Sequence, residues 1–171
     1  MKQGMQQGDA DGLCGLYALL NFLASTVDWK DEKPDIALQY LLQSANDHGW
    51  LSPHFITKGF EPWQLKRIID DQFENYRMPY QTFHLSDADR GSGEECFYNF
   101  ARKITSKGGS ILGSPDRSHW LLLTSSKGKM VTVNSADRLK SVKPFHKGSA
   151  RFDTYGGLII MPTEAPTVKL D

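Results

Sequence analysis

Only two cysteines, Cys14 and Cys96, occur in the 171 residues, too few for a disulfide framework. No CxxC, HExxH or other metal-ligand spacing accompanies the five histidines, so no metal is expected, and no organic cofactor either. Excess charge is missing too: 20 Lys+Arg stand against 20 Asp+Glu. That balance argues against a broad nucleic-acid or anionic-membrane surface, which needs surplus cations. No apolar run approaches the ~18 residues that cross a bilayer. The longest, Leu13 to Ala24, is broken by Asn21. The opening segment MKQGMQQGDADG holds one Lys and no apolar stretch, unlike a secretory leader. The expectation is a cytoplasmic protein with free thiols and neither nucleic acid nor membrane as partner. Delivery into a host or rival cell by a dedicated apparatus would leave no mark in such a sequence.

At a typical ~150 residues per domain, the length predicts one domain spanning 1–171. Leu13, Leu16, Tyr17, Leu20, Leu23 and Ala24 recur at helical spacing and predict a core helix. Pro34 opens a second helix with the stripe Ala37, Tyr40, Leu41 and Ala45, ended by Gly49. A third is expected over about 61–73, with Leu65, Ile68 and Ile69 inward. A fourth is expected over about 94–104, stopped by Gly108-Gly109. The second half turns to short β-prone runs: 80–85, 110–112, 119–124, 130–134 and 157–161. The runs 121–124 and 131–133 flank a Ser/Lys/Gly-rich turn and predict a hairpin. Residues 162–171, with two prolines, are expected to be a loose tail. Helices first and an antiparallel sheet after make an α+β layout.

Cys14 falls at the start of the first helix, after a Gly/Asp-rich segment. A helix N-terminus presents N–H groups and partial positive charge, both of which favour thiolate over thiol. Taken singly, a free cysteine is more often a small buried hydrophobe. His119 precedes an apolar strand, where a general base gains a rigid support. Trp120 beside it points to the other face and is expected in the core. Asn134 closes the next strand, fifteen residues after His119. In a hairpin it returns near His119, where an amide oxygen fixes the imidazole tautomer. Asp137 is the alternative for that role. Gln7, or Gln6, is placed to donate to an oxyanion beside the Cys14 N–H.

The run Gln…GLCGLYALLNFL…SHWLLL…VTVNSAD resembles the papain-like cysteine protease superfamily, in the order Gln, Cys, His, Asn. Its layout is most similar to the Josephin-type deubiquitinases, through the Leu-Cys step into a Leu-Asn helix, the late His-Trp and the following Asn-Ser. The likeness covers residues 6–24 and 119–134, about a fifth of the chain. It implies a papain-like fold, the helical N-terminal half packed on a C-terminal antiparallel sheet. By position it makes Cys14 the nucleophile, His119 the general base, Asn134 the orienting residue and Gln7 the oxyanion donor. The substrate it implies is a protein or peptide, a ubiquitin-like one included. The gap from glutamine to cysteine is longer than that family usually shows. Asp11-Gly12-Leu13-Cys14 also echoes the Asp-Gly-x-Cys of ovarian-tumour-type deubiquitinases, but Leu121 stands where their histidine's partner belongs. The alternatives are a cell-wall peptide amidase or acyltransferase toxin using the same triad, and a catalytically silent papain-like binding module.

Other polar residues receive plainer readings. Asp47-His48 is expected to be a solvated or helix-capping pair, and Cys96 a core residue. His54, His84 and His146 lack partners at metal spacing. The basic stretch 138–147 reads as a solvated face, or as a contact for an acidic partner.

Overall fold

A computed structural model of the chain describes residues 13–26, 34–52, 59–88, 94–113, 119–134, 141–147 and 156–163. Its helices are α1 (Cys14–Thr26), α2 (Pro34–Asp47), α3 (Pro62–Asn75) and α4 (Glu94–Ser106). Its strands are β1 (Tyr80–His84), β2 (Ser110–Gly113), β3 (Leu121–Ser126), β4 (Lys129–Asn134), β5 (Ser141–Pro144) and β6 (Gly157–Pro162). A 3-10 turn, Leu85–Asp87, follows β1. The strands form one sheet in the order β1-β6-β2-β3-β4-β5, antiparallel throughout. The fold is α+β. The two halves are not fully segregated: β1 precedes α4, as the β-prone run 80–85 ahead of the fourth helix implies, and joins the sheet beside β6.

Side chains alternate across each strand, and here both faces of the sheet are covered. Leu112, Leu122, Leu158 and Ile160 join the core shared with α1, α2 and α3. Ile111, Leu123, Ile159 and Met161 join a second core with Phe97, Ala101 and Ile104 of α4. Double-sided burial accounts for the unbroken runs LLL and LIIM, which show no polar alternation. Helix α1 is buried on every side from Cys14 to Ala24. A helix apolar all round belongs inside, and α2, α3 and the sheet enclose it.

Several local expectations need correction. Tyr40 is 42% exposed, because Ala37, Leu41 and Ala45 suffice to seat α2. Cys96 is only partly buried and stands outside the α4 core. His48 is not a cap: its Nε2 lies 2.8 Å from Asp71 Oδ2 on α3, and its ring stacks on Trp50. Ser44 Oγ donates to the same carboxylate at 2.7 Å, so α2 and α3 are tied by polar contacts as well as apolar ones. Leu85 belongs to the 3-10 turn, not to β1. Pro162 ends β6 opposite Tyr80, and Thr163 N–H donates to Pro79 O, so the ordered sheet reaches into the expected tail. Residues 164–171 lie outside the described residues. The basic stretch contributes an edge strand, β5, that the sequence pattern hides.

Helices α2 and α3 end in one hydrogen-bond pattern with different residues. At α2, Gly49 (φ +73) donates to Asn46 O and Trp50 N–H to Ala45 O. At α3, Arg77 N–H donates to Glu74 O and Met78 N–H to Phe73 O, and Arg77 sits at φ +50. Glycine occupies this left-handed position without a Cβ penalty, so Arg77 is held there by the bonds around it. The β3–β4 hairpin turns through Lys127 (φ +51) and Gly128 (φ +74). Two successive positive φ values make the tight turn whose twist matches its strands.

Candidate active site

Cys14 is the first residue of α1 and is 6% exposed. The first internal bond of the helix runs from Tyr17 N–H to Leu13 O at 3.1 Å. The Cys14 thiol therefore sits in the first turn, at the positive end of the helix dipole.

Contacts at both ends of α1 fix which way it runs over the sheet. Phe22, eight residues on, meets Tyr80 edge-on at 5.5 Å and Phe73 at 6.0 Å between ring centroids. Tyr80 pairs with Pro162 at the C-terminal end of β6. Burial against these rings raises the Tyr80 phenol above its ordinary pKa. Near its other end, α1 places Gly15 against Leu65 of α3. Helices α1 and α3 are thus parallel, Gly15 beside Leu65 and Phe22 beside Phe73. The start of α3 approaches the start of β6, since a Cβ on Gly156 would lie 3.2 Å from Pro62 Cγ. The N-terminus of α1 therefore lies at the sheet end where β6 begins.

That same end collects the other candidates. Across it, Gly157 of β6 pairs with Gly113, Gly113 with Leu121, Leu121 with Asn134, and Asn134 with Ser141. Partly buried His119 stands two residues ahead of Leu121. The hairpin thus brings Asn134 opposite the residue next but one to His119, as the strand pattern implies. One detail differs: β3 begins at Leu121, so His119 and Trp120 precede the ladder. Outside the ladder, the pleat does not dictate the direction of the His119 ring. Trp120 is buried in the core that contains Cys14, as its predicted packing role requires. Gln6, Gln7 and Asp137 lie outside the described residues, so the oxyanion donor and the alternative orienting residue have no place in this geometry. Among the described residues no cluster of His, Cys, Asp and Glu could hold a metal ion.

Gly15 is a positioning residue that the sequence pattern passes over. A Cβ there would fall 2.7 Å from Leu65 Cδ1 and 2.8 Å from Cδ2, and Leu65 is fully buried. Its signal in the sequence is a glycine inside a helix, about 1 kcal/mol worse than alanine unless something else requires it. Gly15→Ala is expected to destabilise the protein by about 1–3 kcal/mol through overpacking, the helix propensity gain notwithstanding. Urea denaturation measures this: an unchanged or raised midpoint would show that α1 does not need its close approach to α3. No protein-family model, curated protein or solved structure matches this chain.

Proposed function

We propose that the protein is a papain-like cysteine hydrolase that cleaves a peptide or isopeptide bond through a thioester on Cys14. What supports this reading is that a helix-start cysteine, a histidine before β3 and an asparagine closing β4 occupy backbone positions at the same end of the sheet. In the proposed reaction His119 takes the thiol proton and Cys14 Sγ attacks the scissile carbonyl carbon. The C–N bond then breaks as the imidazolium returns the proton to the leaving amine. Water, deprotonated by His119, next attacks the thioester and releases the acid with the free thiol. Asn134 orients the imidazole, with Asp137 as the alternative. Gln7 or Gln6 assists the Cys14 N–H at the oxyanion.

The substrate class is tested by trapping the protein with C-terminally electrophilic probes built on ubiquitin-like, peptide and muropeptide scaffolds. A ubiquitin-like or peptide adduct on Cys14, absent from Cys14→Ala, is the expected result. A muropeptide adduct instead would favour the cell-wall amidase or acyltransferase reading. Labelling that persists through Cys96 in the Cys14→Ala variant would overturn the assignment. A second reading rests on one observation. The 6% exposure of Cys14 favours a silent papain-like binding module, in which the thiol is only a core side chain. That module would give no adduct with any of the three probes.

A further inference from the structure

Far from Cys14, the C-terminal ends of α2 and α3 border a groove of about 170 Å³, lined by Tyr40, Asp47, Asp71, Gln72, Glu74 and Tyr76 among others. Gln72 is 4% exposed, and its side-chain amide has no hydrogen-bond partner among the described residues. Buried amides are rarely left so, because each forgoes the bonds it made to water. Asp71 is already engaged by Ser44, His48 and Arg67. Asp47 accepts a bond from Gln43 Nε2 at 2.6 Å, but neither it nor Glu74 meets a cation among the described residues. Tyr40 and Tyr76, each 42% exposed, stand with ring centroids 5.4 Å apart.

We propose that this groove binds the guanidinium of an arginine side chain carried by a partner protein. A guanidinium has donors only, which suits the Gln72 carbonyl and the carboxylates of Asp47 and Glu74. Its planar cation also suits the tyrosine faces. The volume falls below the ~300 Å³ at which small-molecule sites begin, and it matches one long side chain. A free amino acid would set its α-carboxylate against Asp47 and Glu74, whereas an arginine within a chain brings no such charge. This site is independent of the hydrolase proposal.

The test is a titration of the ¹⁵N-labelled full chain with N-acetyl-arginine N-methylamide, its citrulline counterpart and free arginine. The arginine derivative is expected to shift the Gln72 side-chain amide and the backbone of residues 71–76 to saturation. Citrulline should cause no saturable shift, and free arginine should bind at least ~5-fold more weakly. The Asp47→Asn/Glu74→Gln variant, its spectrum otherwise unchanged, should weaken binding at least ~10-fold. No saturable shift at Gln72, an equal response to citrulline or free arginine, or undiminished binding by that variant would each overturn the proposal.

Discussion

Replacing His119 by alanine is expected to slow adduct formation between Cys14 and a peptide electrophile by about 10²–10⁴-fold, the usual contribution of a positioned general base. His119 is partly buried and lies ahead of the β3 ladder, so its removal is expected to leave the backbone pairing of β2, β3 and β4 in place. A loss of folding would lower the rate for a trivial reason. Far-UV circular dichroism and the melting temperature of the variant are therefore measured beside the rate. A folded His119→Ala protein that reacts at the wild-type rate would remove the histidine from the mechanism. Asn134→Ala should cost less than His119→Ala, because it disturbs the orientation of the base and leaves the base itself in place.

The largest effect on stability is expected at the other end of α1. Phe22 is fully buried and meets Phe73 and Tyr80 in edge-on geometry, at 68° and 89° between ring planes. Phe22→Ala removes those ring contacts and leaves a cavity between helix and sheet, at a cost of about 3–5 kcal/mol. Domains are stable by only about 5–15 kcal/mol in total, so this one change takes a large share. At roughly 2–4 °C per kcal/mol for a chain of this size, the melting temperature should fall by about 10 °C. A shift of a degree or two would mean that α1 is held by its own Leu side chains and not by this aromatic cluster. Phe22 also anchors the orientation of α1, so the same variant should loosen the placement of Cys14 and slow its reaction.

Much of this architecture was readable from residue patterns because the physics involved is local. Glycine after the last inward residue marked the ends of α2 and α4, and Lys127-Gly128 marked the hairpin. Helical spacing from Leu13 onward marked α1, although only the structure shows it enclosed on all sides. What the patterns missed depends on contacts between distant segments. Tyr40 fits the apolar stripe of α2, yet it pairs with Tyr76 at the surface. His48 looked like a helix end and instead reaches Asp71 on another helix. Strand β5 is four residues long and ends in proline, so its pairing with β4 supplies what its own pattern lacks. For the candidate site, the order of Cys14, His119 and Asn134 along the chain was legible. The spacing within the hairpin already returned Asn134 toward His119, whereas the placement of Cys14 at the same sheet end follows from the direction of α1, which no spacing within the chain encodes.

Two opposing influences act on the Cys14 thiol. In the hydrolase proposal the first turn of α1 and the His119 imidazole favour the thiolate against the burial of Cys14. The most direct measurement is the rate of Cys14 alkylation by iodoacetamide from pH 4 to 10, in the wild-type protein and in His119→Ala, with Cys96 replaced by serine. The hydrolase proposal predicts a reactive plateau well below the ordinary thiol range near pH 8.5 that is lost in His119→Ala. A rate that rises only through or above that range, with the same profile in both proteins, would contradict it.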